Sequence, residues 1–218
     1  MDAVVVLAGE PVAGFARALI KKKAVAGCPL IAADAGADRL ADIGLTPSLI
    51  VGDGDSLQGA FPGVPRQTFP ARKDFTDGAA ALGLALEQCD GRVWLLGALG
   101  GRPDHQLANL LLPLGCAAPE RVVLAGGDWQ GRYLGPGAHR IAGRCGDTVS
   151  LLPLSRVSGL SLAGFEYPLR DHSADPGDSR TVSNVLAKAE ARITLEQGCL
   201  LAFRIMSREE IEEYERDQ

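Results

Sequence analysis

Asp53-Gly54-Asp55-Ser56 follows an apolar run at 49–52, so two carboxylates stand at the end of an expected strand. A second acidic pair, Asp74 and Asp77, lies in Lys73-Asp74-Phe75-Thr76-Asp77 and opens the next helical pattern. A third polar block, Gly100-Gly101-Arg102-Pro103-Asp104-His105, follows the apolar run at 93–96. If the strands are parallel, all three blocks fall on one edge of the sheet. Open α/β sheets bind ligands at that edge. Carboxylates crowded together repel one another unless a cation holds them. Hard oxygen donors without a cysteine or histidine set favour Mg²⁺ over zinc. Mg²⁺ held by a few carboxylates commonly shares its site with substrate phosphates. The expected chemistry is metal-assisted phosphoryl or pyrophosphoryl transfer.

Each residue also has a plainer reading. Asp53 and Asp55 alternate along an extended segment, so sharing one ion requires a local turn, which Gly54 permits. The plain alternative is an Asp/Gly turn with solvated carboxylates. Asp74 and Asp77 either join the ion site or are acids favoured by the positive end of a helix. Lys73 is a phosphate clamp or a solvated charge. Arg102 has the planar fork that grips phosphate oxygens, or it forms a structural ion pair. Asp104 either orients or deprotonates an acceptor hydroxyl, or caps a helix expected to begin at His105. Asn109 sits one helical turn on from His105 and Gln106, as a candidate polar contact. His105, His139 and His172 lack metal-ligand spacing, and His105 reads as a packing or hydrogen-bonding residue.

The elements that must position these groups are legible as alternation. Apolar runs at 3–8, 30–33, 49–52, 93–96 and 122–125 have strand length, with helical spacing at 15–25, 37–43, 78–89 and 105–114. Such alternation implies a three-layer α/β/α domain with a mostly parallel sheet over residues 1–127. Residues 128–137, rich in glycine and with one proline, read as a linker. Beyond it, runs at 148–152, 157–162, 193–195 and 200–205 follow without helices between them. They predict an antiparallel, β-sandwich-like domain over 138–218. Ser207-Arg208-Glu209-Glu210 resembles a capping box opening a last helix.

Composition narrows the class. Of 218 residues, 46% are hydrophobic and 22% charged, which is ordinary for a globular protein. A net charge of −5 argues against a general nucleic-acid binder. No apolar run spans a bilayer, and the start lacks a signal peptide's basic region. Five scattered cysteines fit neither zinc spacing nor a disulfide framework, so reduced thiols and a cytoplasmic address are expected.

Five blocks occur in order: Ala33-Asp34-Ala35-Gly36-Ala37-Asp38, Gly52-Asp53-Gly54-Asp55-Ser56, Lys73-Asp74-Phe75-Thr76-Asp77, Gly100-Gly101-Arg102-Pro103-Asp104-His105, and Ser183-Asn184. As a set they resemble the thiamine pyrophosphokinase (thiamine diphosphokinase) family over nearly the full length. The resemblance implies transfer of a pyrophosphoryl group from ATP to the thiamine hydroxyl, with Mg²⁺ and release of AMP. It implies a homodimer whose sites combine the N-terminal domain of one subunit with the C-terminal domain of the other. It assigns Asp53, Asp55 and Asp77 to the metal and phosphate site, and Asp34 and Thr76 to the nucleotide surroundings. Arg102 and Asp104 fall at the reacting centre, and Ser183 and Asn184 against thiamine. Two stretches depart from the family pattern. The helix after Asp77 opens with Gly78-Ala79-Ala80-Ala81, and Leu200-Leu201-Ala202-Phe203 lacks a tryptophan that many members carry. Two other readings stay open: a Mg²⁺-dependent phosphohydrolase using Asp53 and Asp55, and a non-catalytic sensor of thiamine or nucleotide.

Overall fold

The computed structural model describes residues 1–70 and 72–216; the last two residues of the expected second domain lie outside these. The chain divides into two compact units. One holds Met1–Gly127 with residues 213–216, the other Asp128–Glu212.

The first unit is α/β. Its strands are β1 (Ala3–Val6), β2 (Leu30–Ala33), β3 (Leu49–Val51), β4 (Arg66–Gln67), β5 (Val93–Leu96) and β6 (Val122–Ala125). They lie in the order β6-β5-β1-β2-β3-β4, and each neighbouring pair is parallel. Strands β1, β2, β5 and β6 are buried at every position, which is why the sequence shows them as unbroken apolar runs. The helices are α1 (Gly14–Val25), α2 (Gly36–Ala41), α3 (Asp77–Gln88) and α4 (Pro103–Leu111). Burying Gly78, Ala81, Leu82 and Ala85, α3 packs on the sheet; small side chains there let the helix come close. Its C-terminal carbonyls are held by Arg121, which donates to the carbonyls of Leu86, Cys89 and Gly91. Helix α4 starts at Pro103, not His105, since proline's fixed φ suits the first helical position.

Strands β1 and β5 are neighbours although the chain passes through β2, β3 and β4 between them, so the strand order reverses there. The loops leaving these two strands lie backbone on backbone. A Cβ on Gly9 would overlap the carbonyl oxygens of Gly97 and Leu99. One on Gly100 would lie 2.7 Å from the backbone nitrogen of Glu10. The Glu10 N–H donates to the Leu99 carbonyl at 2.5 Å.

The second unit is a sandwich of two antiparallel sheets. One has the order β12 (Asn184–Val185), β9 (Thr148–Pro153), β14 (Leu200–Ile205), β7 (Trp129–Leu134). The other runs β11 (Leu169–Ala174), β10 (Val157–Ala163), β13 (Glu190–Leu195), β8 (Gly137–Ala142). Leu151, Leu160, Leu186, Ile193 and Leu200 fill the core between them. The expected linker is therefore largely strand β7. Trp129, Gly131 and Tyr133 are buried in alternation with half-buried Gln130 and Arg132, a period-two pattern that the surrounding glycines obscure in sequence. Strand β8 was also unexpected; it is a sheet edge and mostly exposed, so it lacks an apolar signal. Within this unit a buried ion-pair group ties β14 and the residue before β9 to the first turn of the last helix, α5 (Arg208–Arg216). Arg204 bonds Asp147 at 2.6 Å and also pairs with Glu210.

Candidate active site

Three carboxylates meet at the ends of β2 and β3. Asp34, Asp53 and Asp55 each offer an oxygen within 4.8 Å of the others. Register explains the meeting. Ala33 pairs with Val51 in the parallel ladder, so the next residues, Asp34 and Gly52, leave the sheet side by side. Asp34 sits at φ +43°, a left-handed conformation that aspartate tolerates better than most residues. Gly54 makes the turn at φ +80°, and the Asp55 N–H donates to Asp53 Oδ1 at 3.2 Å. The Gly54 N–H donates to Asp34 Oδ1 at 3.1 Å. The loop that follows is pinned by Asp38, which accepts from the Gln58 and Gly59 N–H groups at 3.0 and 2.7 Å.

The sequence reading grouped Asp53 and Asp55 with Asp77. In the structure the third member of the compact set is Asp34. Asp77 lies beside Asp34 but pairs with Lys73 Nζ at 2.8 Å. The Lys73 side chain is only 8% exposed, so it is not a solvated charge. Its hydrogen bond to Asp77 raises its pKa, and the charges of Asp53 and Asp34 add to this. Burial pushes the Asp34 carboxyl up to about 6, against the Gly54 hydrogen bond and with help from the charges of Asp77 and Asp53. Thr76 caps α3 by accepting from the Ala79 N–H at 3.1 Å. Asp74 is exposed.

The Gly-Gly-Arg block follows β5, on the same edge of the parallel sheet. Arg102 and Asp104 engage each other through two hydrogen bonds of 3.1 and 2.6 Å, both side chains well exposed. That pairing holds Asp104 down at about 2. Asp104 also accepts from the His105 N–H at 3.0 Å, so it serves the helix start as well. Asn109 donates to the Ala98 carbonyl at 3.3 Å and ties α4 to the loop after β5.

Ser183 and Asn184 lie in the second unit. Ser183 is left-handed at φ +57°, and its N–H donates to Ser150 Oγ at 2.9 Å. Asn184 is buried among backbone groups of its own unit. Phe203 packs edge-on against Trp129, with centroids 5.4 Å apart, so Trp129 is a packing residue of the sandwich. Gly52 was not singled out in sequence, yet any side chain there would overlap Asp34. Its only trace is its position, one residue before the Asp-Gly-Asp turn.

The first unit carries a stretch, residues 21–123, that matches the family model for the thiamin pyrophosphokinase catalytic domain. Residues 138–200 match the thiamin pyrophosphokinase vitamin B1 binding domain. A thiamine pyrophosphokinase of Bacillus subtilis (strain 168) is 30% identical over 185 residues, covering 80% of this chain and 86% of that protein. The chain belongs to the thiamin pyrophosphokinase family. The crystal structure of a thiamine pyrophosphokinase from Bacillus subtilis superposes with a TM-score of 0.82 at 25% identity, covering 95% of this chain and all of that one. One from Geobacillus thermodenitrificans gives 0.82 at 27% identity, with 95% and 99% covered. The yeast enzyme, at 15% identity and TM-score 0.77, shares the fold. Thiamine diphosphokinase activity comes with this membership, as do thiamine and ATP as ligands.

Proposed function

We propose that the chain transfers the pyrophosphoryl group of ATP to the hydroxyl of thiamine, giving thiamine diphosphate and AMP. The observation that carries the mechanism is the set Asp34, Asp53 and Asp55, whose oxygens lie within 4.8 Å of one another. An all-carboxylate donor set suits Mg²⁺. When bound, Mg²⁺ would neutralise phosphate charge at this sheet edge. Lys73 and Asp77 flank the set, and the lysine offsets the crowded negative charge. Asp74 and Thr76 belong to the same nucleotide-facing segment, and Asn109 supports the loop beneath Arg102.

The protein's part is positioning and charge neutralisation, because phosphoryl transfer leaves little covalent work to side chains. Arg102 exchanges its grip on Asp104 for the transferred phosphate oxygens. Asp104, released from Arg102 in that exchange, accepts a hydrogen bond from the acceptor hydroxyl and orients it. Thiamine is held by the second unit, including Ser183. We further propose a homodimer whose sites pair the first unit of one protomer with the second unit of its partner. A cytoplasmic location is supported by five cysteines that are all free thiols; no helix among the described residues is long and apolar enough to cross a membrane. Neither a phosphohydrolase nor a pure binding protein is favoured by the family match.

The test is incubation with ATP, Mg²⁺ and thiamine, followed by chromatography of the nucleotides. AMP and thiamine diphosphate in equal amounts are expected. ADP, or free phosphate alone, would overturn the reaction class.

A further inference from the structure

Between residues 138 and 200, the stretch matching the vitamin B1 binding domain, two large apolar side chains are exposed: Tyr167 at 64% and Val182 at 42%. Val182 lies two residues before Asn184 in the chain, and Tyr167 is the residue whose backbone Asn184 clamps. Asn184, only 3% exposed, accepts from the Tyr167 N–H at 3.1 Å through Oδ1 and donates to the Tyr167 carbonyl at 2.8 Å through Nδ2. The same Oδ1 accepts from the Val185 N–H at 2.9 Å. An amide oxygen has two lone pairs and an amide nitrogen two N–H groups. Both lone pairs and one N–H are thus committed to backbone. Asn184 has little left to offer a ligand, whereas the ring carried by the backbone it fixes is open.

We infer that Asn184 is a positioning residue, and that the ring of Tyr167, whose backbone it holds, is a specificity determinant for thiamine. This rests on thiamine being the acceptor. The backbone around Tyr167 is fixed further by the Glu166 N–H, which donates to the Val185 carbonyl at 2.9 Å, and by the bridge between Phe165 and Leu186. Next to the clamp, Ser183 is held left-handed by Ser150. Non-glycine residues keep such a conformation where the surroundings enforce it, and they gather at binding sites. An exposed tyrosine ring on a fixed backbone suits a flat heteroaromatic cation. The ring face attracts the thiazolium charge and stacks on either ring of thiamine.

Steady-state kinetics on Tyr167→Ala, Tyr167→Phe, Asn184→Ala and the double alanine variant test this. Tyr167→Ala should raise KM for thiamine about tenfold, the scale of a cation–π contact, with KM for ATP and kcat moving far less. Tyr167→Phe, which restores the ring, should recover most of that loss. Asn184→Ala should raise the thiamine KM similarly, and the double variant should be no worse than Asn184→Ala alone, because coupled residues are not additive. A wild-type thiamine KM in Tyr167→Ala would overturn the inference. So would fully multiplied effects in the double variant, which would make Asn184 an independent contact. Tyr167 is exposed, so its variants decide the matter even if Asn184→Ala fails to fold. AMP formation by the wild-type enzyme in the same assay checks the underlying reaction separately.

Discussion

Gly52 and Asp34 occupy adjacent ends of parallel strands, and the carboxylate of Asp34 fills the space where a Gly52 side chain would be. Gly52 also adopts φ +142°, which L side chains rarely take. The acidic site is therefore assembled partly by the lack of a side chain.

Gly52→Ala should move Asp34 out of the cluster. The expected cost is on the order of 2–4 kcal/mol, from backbone strain and overlap together. Urea unfolding measures it. Stability within about 0.5 kcal/mol of wild type would mean that the site adapts freely.

The acid cluster should make stability respond to Mg²⁺ and to pH together. Asp34 titrates at about 6, raised from 3.8 mainly by burial. A raised carboxyl pKa favours the folded state below 3.8, and that advantage is lost as pH rises through about 6. In chelator at pH 7.5, Asp34→Asn should therefore melt higher than wild type, by on the order of 2 °C, since the site is part-exposed and screened. At pH 4.5 the gap should close. Added Mg²⁺ should raise the wild-type melting temperature at pH 7.5 and much less at pH 5, where protons compete. Differential scanning fluorimetry reads all three effects. A melting temperature indifferent to Mg²⁺ at pH 7.5 would argue against an ion at this site.

Arg102→Ala should lower kcat about 10²-fold while shifting KM for ATP little, if its value lies in transition-state charge. The side chain is 73% exposed, so the fold should survive. An effect confined to KM would reassign it to ground-state binding.

Mixing a first-unit variant with a second-unit variant, assayed at thiamine well below KM, tests the proposed dimer. Asp55→Asn disables the first unit and Asn184→Ala weakens the second. Co-refolded in equal amounts, about half the dimers are mixed, and each mixed dimer has one site with both lesions and one with neither. Activity should return to about a quarter of wild type. Mixed dimers that stay inactive would place each site within a single chain.

Where burial is complete, the sequence announces the fold. The runs at 30–33 and 93–96 read as strands because both faces are covered, and Asp53-Gly54-Asp55 shows its turn openly. Asp34 was harder to place. Its membership in the acid cluster depends on the Ala33–Val51 register, a pairing between positions that sequence spacing does not fix. Lys73 could not be assigned because its burial is tertiary. Strand β7 was hidden by glycines at 126, 127, 131 and 135, which carry no β signal of their own. Tyr167 gave no sign at all, since nothing in Glu166-Tyr167-Pro168 reveals that an asparagine 17 residues on will hold it.

The crossing of the loops after β1 and β5 bears on how this fold can be recombined. Gly9 and Glu10 fit against Gly97, Leu99 and Gly100 with no side chain between them. A chimera that takes one loop from a relative and leaves the other behind brings together two backbones shaped for different partners. The two loops, almost ninety positions apart in the chain, are thus a single module for exchange, and a crossover point placed between them separates halves of one part.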